Sequence, residues 1–325
     1  MARHPPRGRF DGSLPGVGHA PGIALVLHPR RDPGSVLDAI GSWAASHGSR
    51  LLMRAADAAR WDGEVDVVGE AELAEQADAV VSLGGDGTML GALRMVARRP
   101  VPVLGVNLGH LGFLVEVQPD ELTDALDRLE RLDFTIEQRS ALWLGADSDE
   151  AVAFNDLALV RVPGDGVVEA VLTVGGQRTG RYRCDGLVIS TAIGSTAYAY
   201  SAGGPVVSPA LDAVVVAPLA PLAGISRPMV TAAEEPLCLE LQAGSGRPAI
   251  EVDGTMHRRM EPGEALNVRL QPGCGQVVRL DRDRHQRRNQ VKLSLLDLPF
   301  LPDELRELTS PGDLPGSRPP RVLEP

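Results

Sequence analysis

The chain has 325 residues, 43% of them hydrophobic, a length that allows one large domain or two of ordinary size. Its formal net charge of −11 argues against broad binding to nucleic acids or anionic membranes, although a local basic pocket for phosphates is compatible with it. The three cysteines are far apart and lack metal-binding spacing, which favours buried thiols in a reducing compartment. No apolar run of about 18 residues occurs, so we expect a cytoplasmic protein.

Residues 1–21 are rich in Pro, Gly and Arg and are predicted to form a disordered leader. Strand and helix patterns then alternate. The segments that read as strands are GIALVLHP, SRLLMRA, ADAVVSL and VPVLGVN. A first helix is predicted from a Ser35 cap to about Ser46, with Gly48 just past its end. A second helix is predicted over Met89–Arg98. This alternation predicts a Rossmann-like α/β domain with a parallel sheet over residues 22–134.

The pattern changes near Phe134. From there, short β-rich segments such as EAVLTVGG, LDAVVVAP and EPLCLELQA are separated by turns, and helical periodicity is scarce. This is typical of an all-β domain, which we predict over residues 135–281 as a β-sandwich. A charged, helix-compatible segment follows at 282–308, and residues 309–325 are predicted to be a flexible tail.

A glycine-rich loop in the α/β region suggests a binding site for an anionic ligand. The strand that ends in VVSL is followed by Gly84, Gly85, Asp86 and Gly87, and then by Thr88 and a helix pattern. Glycines allow close approach of phosphate oxygens to backbone N–H groups, and the start of a helix favours an anion. The spacing matches neither a Walker P-loop nor GxGxxG.

Asp86 is unusual in such a loop, because a carboxylate beside phosphate is electrostatically unfavourable. It is explained if the carboxylate binds Mg²⁺ or removes a proton from an attacking hydroxyl. A lone Asp at this place is also a common turn or helix-cap residue. The three surrounding glycines favour the functional interpretation.

The segments GGDGTML and VLGVNLGHLGFLVE resemble the NAD kinase family, which shares the GGDGT loop with diacylglycerol and sphingosine kinases. FNDLALVR is similar to the family's Asn-Glu motif, with Asn155 and Asp156 at the two positions. RYRCDGLVISTAIGSTAYAYSAGGPVVSP is similar to a longer family signature. The resemblance covers about residues 23–293 and implies a last helix, within 282–308, that returns to the α/β domain.

The resemblance implies a reaction in which the γ-phosphoryl of ATP, or of polyphosphate, is moved to the 2′-hydroxyl of the adenosine ribose of NAD. Asp86 would be the general base, Gly84, Gly85, Gly87 and Thr88 would form the phosphate loop, and Mg²⁺ would accompany ATP. Asp86 and Gly87 would also contact NAD. The other residues that the resemblance assigns to NAD are Asn155, Asp156, Arg183, Asp185, Thr196, Ala197, Tyr198 and Ser201, with Asp185 at the nicotinamide end. A homo-oligomer, dimer or tetramer, is also implied.

Several positions depart from the family pattern. Asp156 stands for the usual Glu, and the other departures noted are Ala192, Ile193, Thr255 and His285. Two alternatives therefore stay open. The protein could be a related kinase acting on a lipid or another nucleoside, or a catalytically weak regulator that binds NAD.

Overall fold

The structure, a computed structural model, describes residues 21–109, 114–145 and 150–281. Residues 1–20 of the predicted leader lie outside these ranges, and so do the predicted C-terminal helix, the tail and His285. Among the residues described, no helix is long and apolar enough to cross a membrane.

The first part of the chain alternates between strands and helices, as predicted. The strands are β1 (Gly22–Leu27), β2 (Arg50–Met53), β3 (Asp66–Val67), β4 (Ala79–Gly84) and β5 (Pro102–Asn107). The helices are α1 (Gly34–His47), α2 (Ala55–Ala58), α3 (Glu70–Gln76), α4 (Asp86–Met95) and α5 (Leu122–Glu130), with a short 3₁₀ turn at Pro119–Glu121. The strands are parallel, in the order β5-β4-β1-β2-β3.

Helices cover both faces of this parallel sheet. Leu37 of α1 and Leu126 of α5 pack on one face, and Leu73 of α3 and Leu93 of α4 pack on the other. Every residue of β1, β4 and β5 is consequently buried, which explains their continuous apolar sequences. The prediction of an α/β fold is confirmed.

Two predicted helix starts were wrong. Helix α1 begins at Gly34 after Pro33, whose carbonyl accepts the first helical hydrogen bonds, and Ser35 does not cap it. Gly48, by contrast, lies just past the end of α1 as predicted, and its backbone is left-handed, with φ of 67°. Helix α4 begins at Asp86 instead of Met89, because the glycine-rich loop itself supplies the first turn.

Over residues 135–145 and 150–281, the second part is all-β apart from short helical turns at Ile193–Thr196 and α6 (Tyr198–Ser201). Its strands are β6 (Thr135–Leu144), β7 (Ala151–Ala153), β8 (Asp156–Val160), β9 (Val168–Val174), β10 (Gln177–Cys184), β11 (Gly186–Thr191), β12 (Ala213–Leu219), β13 (Ala223–Gly224), β14 (Met229–Ala232), β15 (Leu237–Leu241), β16 (Ala249–Val252), β17 (Thr255–Arg259) and β18 (Ala265–Arg279). One sheet has the order β14-β12-β11-β8-β16-β17. It packs through Leu157 and Ile189 on Leu172 and Leu239 of the other sheet, which gives the predicted sandwich.

The sequence did not predict that one sheet continues through both parts of the chain. Strand β18 pairs antiparallel with β6 and β15, and its last residues pair in parallel with β5, through Gln276 to Pro102 and Val277 to Val103. A bulge between Gln271 and Gly275 interrupts the β6 pairing. The parallel sheet and one sandwich sheet therefore form a continuous 12-stranded sheet within the described residues.

Candidate functional site

The glycine-rich loop lies at the carboxyl end of the central strands of the parallel sheet, where α/β folds place ligands. A Cβ at Gly84 would overlap the side chain of Thr88, so only glycine fits there. A Cβ at Gly85 or Gly87 would meet nothing within 4 Å. Both of these glycines border a cleft, so their backbone is open to a ligand.

Asp86 is half-buried at the first position of α4, with Gly85 as the N-cap. Its side chain does not cap the helix. Instead, Oδ1 accepts a hydrogen bond of 2.9 Å from the N–H of Leu114, in the segment that follows β5. The carboxylate is thus held between the phosphate loop and the second motif of the sequence. Gly85 and Gly87, its two neighbours, line a cleft, whereas Asp86 is not among the described residues that line it.

The cleft has a volume of about 1030 Å³ and runs along one side of α4. Its charged lining is mainly basic and consists of Arg31, Arg54, Arg94, Arg98, Arg99, Glu70, Glu75 and Glu150, with His28 beside the loop. A protein with a net charge of −11 therefore has a locally basic cleft at its glycine-rich loop. This charge suits a ligand with several phosphates.

A second set of predicted residues meets in the sandwich. The backbone O of Asn155 accepts a 2.9 Å hydrogen bond from Thr191, and a Cβ at Gly194 would overlap that same carbonyl. The turn that carries Thr196, Ala197 and Tyr198 is therefore packed directly on the Asn155 backbone. The side-chain amide of Asn155 makes no hydrogen bond to another described residue, which leaves it available to a ligand.

Asp156 is 5% exposed and faces other acidic side chains. Burial and the carboxylate of Asp253 raise the pKa of Asp156 to about 7, a backbone hydrogen bond from Tyr198 lowers it, and Glu251 raises it further. Asp156 thus changes charge near neutral pH, and its contact with Tyr198 joins it to the turn that holds Thr196 and Ala197.

Sequence reasoning missed Asp253, whose side chain has no exposed surface. Its Oδ1 accepts from the N–H groups of Asn155 (2.7 Å) and Asp156 (3.2 Å), and Oδ2 accepts from Phe154 (3.1 Å) and from Nη1 of Arg94 (2.7 Å). Arg94 belongs to α4, the helix that starts at Asp86. One carboxylate therefore connects the glycine-rich loop's helix to the Asn-Asp turn.

A signal for this connection was present in the sequence. Asp253 and Gly254 form the two-residue turn between β16 and β17, with φ of 46° and 74°. An Asp-Gly pair between two strand patterns is a strong hairpin signal. The pattern shows the turn, but it does not show that the carboxylate points inward.

Two predicted residues, Arg183 and Asp185, lie apart from this group, and a third, Ser201, is one helical turn from Tyr198. Asp185 precedes β11, whereas Asn155 and Thr191 lie at the other end of that strand, roughly 20 Å away at the usual rise per residue. Asp185 pairs with Arg161, and Arg183 donates to Glu169, both at short distances (2.9 and 2.8 Å). Ser201 is exposed at the end of α6.

The basic cleft, the glycine-rich loop and its carboxylate are features of the proteins that bind nucleotide phosphates and transfer a phosphoryl group. Residues 43–134 match the model of the ATP-NAD kinase N-terminal domain, and residues 154–280 match that of the C-terminal domain. The NAD kinase of Rhodococcus erythropolis is 35% identical over 282 residues, which are 80% of this chain and 89% of the relative. The chain belongs to the NAD kinase family.

Two solved structures have the same architecture. A yeast NADH kinase in complex with NADH superposes with a TM-score of 0.74 at 21% identity, covering 87% of this chain and 89% of that one. An NAD kinase from Archaeoglobus fulgidus in complex with ATP superposes with a TM-score of 0.65 at 26% identity, covering 84% and 98%. The predicted family membership and the predicted fold are both confirmed.

Proposed function

We propose that the protein phosphorylates the 2′-hydroxyl of the adenosine ribose of NAD, with ATP or polyphosphate as the donor, to give NADP. Asp86 accepts the hydroxyl proton, the ribose oxygen forms a bond to the terminal phosphorus, and the bond from that phosphorus to its bridging oxygen breaks. ADP, or a shortened polyphosphate, leaves, and the proton passes from Asp86 to water. The observation that carries this proposal is the position of Asp86 in the loop, between Gly85 and Gly87, whose open backbone lines a basic cleft.

The loop residues supply the electrostatics of the transfer. Open backbone at Gly85 and Gly87, at the start of α4, favours the oxygens of a phosphoryl group. Mg²⁺ commonly binds through substrate phosphates and waters with few protein carboxylates, so the donor's phosphates would carry it while Asp86 acts as the base. When bound with ATP, Mg²⁺ would neutralise phosphate charge.

Asn155, Asp156 and the turn of Thr196, Ala197 and Tyr198 would bind adenosine. An amide can donate and accept at an adenine edge, and a carboxylate can accept from ribose hydroxyls. The connection through Asp253 and Arg94 supports this assignment, because it couples the adenosine turn to the helix that begins at Asp86.

The remaining assignments concern Arg183 and Asp185. Because Asp185 lies roughly 20 Å from the adenosine turn, and Arg183 is two residues before it, we propose that both act in a homo-oligomer, dimer or tetramer, where they would complete the nicotinamide end of a neighbouring subunit's site. We further propose that the reaction takes place in the cytoplasm, where NAD and ATP are available.

An assay with purified protein, NAD, ATP and Mg²⁺ tests the function. We expect stoichiometric formation of NADP and ADP, and parallel reactions with polyphosphate, NADH and diacylglycerol report the donor and acceptor range. NAD binding by calorimetry without any NADP from either donor would contradict the proposal and support a regulator. Phosphorylation of diacylglycerol alone would support a lipid kinase.

The raised pKa of Asp156 predicts that NAD binding depends on pH. Its carboxyl is neutral below about pH 7 and ionised above it, and the ionised form is the stronger acceptor for a ribose hydroxyl. We expect the KM for NAD to fall roughly fivefold between pH 6 and pH 8, and Asp156→Asn to remove this change.

The raised pKa of Asp156 also predicts that the stability of the folded protein depends on pH. A folded-state pKa of about 7, above the ordinary value of 3.8, means that stability falls as the pH rises from about 3.8 to about 7, because the native state resists forming a buried charge next to Asp253. Asp156→Asn should therefore gain stability relative to the wild type as the pH rises from 4 to 8 in urea unfolding, with a smaller relative gain at pH 5 than at pH 8. A wild-type pH dependence that persists in Asp156→Asn would contradict the assignment.

A further inference from the structure

The phosphate loop lacks a positive charge of its own. Residues 84–88 contain three glycines, Asp86 and Thr88, whereas a Walker loop carries a lysine at its end. A transferred phosphoryl group needs cationic partners, and Asp86 adds a negative charge beside it. The positive charge must therefore come from side chains elsewhere in the cleft.

Arg31 is placed to supply it. Strand β4 lies between β1 and β5, and the N–H of His28 and the N–H of Leu108 both donate to the end of β4, to Leu83 (2.9 Å) and Gly84 (3.1 Å). Arg31 follows β1, yet its guanidinium lies against Gly109, after β5, where a Cβ would overlap it. The side chain thus extends across the end of β4, where the phosphate loop begins.

The backbone around Arg31 is held in place. The N–H of Arg31 donates to Nδ1 of His28 at 3.1 Å, and the guanidinium of Arg60 donates to the carbonyls of Arg31 and His28. Burial lowers the pKa of His28, and the charges of Arg31, Arg30 and Arg60 lower it further, as expected where positive charge accumulates.

The guanidinium of Arg31 differs from those of the other arginines in the cleft. Within the described residues it makes no ion pair or hydrogen bond, although it lines the cleft beside Gly85 and Gly87. The other cleft arginines have partners, which are Asp57 for Arg54, Asp253 for Arg94, Glu150 for Arg98 and the Ala77 carbonyl for Arg99. Thr88, at the same wall, has a buried hydroxyl without a partner among these residues.

We propose that Arg31 binds the terminal phosphate of the donor's polyphosphate chain and stabilises it during transfer. The ligand class is a chain of phosphates, from a nucleoside triphosphate or inorganic polyphosphate, and the catalytic part rests on the proposed function. A planar guanidinium matches two phosphate oxygens at once, which an ammonium does not.

Kinetics of Arg31→Met, Arg31→Lys and Arg30→Met test the proposal. Arg30 is the adjacent residue, is exposed and is not part of the cleft lining, so it is a matched control for loss of one positive charge. We expect Arg31→Met to lower kcat/KM for ATP by about 10- to 100-fold with the KM for NAD unchanged, and Arg31→Lys to lower it less. Arg30→Met should stay within about twofold of the wild type, because exposed charges at a distance are screened.

Gly109→Ala provides an independent variant. The new methyl group would occupy the place of the flexible guanidinium, so it should displace Arg31 without unfolding the protein. We expect the same loss in kcat/KM for ATP as in Arg31→Met, and no further loss in the double variant. Thermal unfolding of all variants should match the wild type.

Binding of inorganic tripolyphosphate, measured by calorimetry, separates this proposal from the proposed function. Affinity that falls about tenfold or more in Arg31→Met but not in Arg30→Met supports the phosphate site even if the wild type makes no NADP. Equal tripolyphosphate affinity and equal kcat/KM for ATP in the wild type and Arg31→Met would overturn it. An equal loss of affinity in Arg30→Met would also overturn the proposal, because it would show that phosphate binding depends on the general positive charge of the region and not on a contact with Arg31.

Discussion

Asp86→Asn is expected to abolish NADP formation while NAD still binds. The asparagine has the same shape, and its amide oxygen can still accept the hydrogen bond that Leu114 donates at 2.9 Å. It cannot take the proton from the ribose hydroxyl. General-base catalysis contributes about 100- to 10,000-fold to the rate, so kcat should fall by at least about 100-fold.

Single-turnover kinetics with enzyme in excess over NAD would measure the chemical step, and calorimetry would measure NAD affinity. Asp124→Asn is a matched control, because Asp124 also lies in the first turn of a helix, α5, and is exposed. Both variants lose one negative charge at the start of a helix. The interaction of such a charge with the helix dipole contributes less than about 1 kcal/mol to stability. Near-normal turnover of Asp86→Asn would end the general-base assignment.

Asp253→Asn is expected to have the largest effect on stability. The carboxylate is fully buried and accepts from three backbone N–H groups and from Arg94, and an amide replaces one of these acceptors by a donor. Breaking a buried ion pair from one side costs about 3–5 kcal/mol. Asn tolerates the left-handed backbone at this position, so the loss would report the side-chain contacts.

Urea unfolding measures the free energy, and the KM for NAD measures the consequence for the site. We expect the KM for NAD to rise, because the N–H groups of Asn155 and Asp156 lose their common acceptor. Asp165→Asn is the control. It removes an exposed pair with Arg259 at 3.0 Å, which contributes at most about 1 kcal/mol. Equal stabilities of the two variants would show that Asp253 does not organise the turn.

Much of the fold could be predicted because its signals are local. The buried strands β1, β4 and β5 have continuous apolar sequences, and Gly48 ends α1 in the left-handed conformation that glycine favours. The start of α1 was predicted wrongly, because Pro33 and Ser35 are both acceptable near a helix start and the local pattern does not choose between them.

The sequence by itself determined the class of fold, the glycine-rich loop and the two motifs that identify the family, because spacing along the chain defines these features. Only the tertiary structure decided which residues meet. It placed Asp253 under the Asn155 turn, extended Arg31 to Gly109, and separated Asp185 from the adenosine turn by the length of β11. Contacts between residues tens to hundreds of positions apart depend on sheet order, strand register and the direction of each side chain, and none of these has a signature in the local pattern.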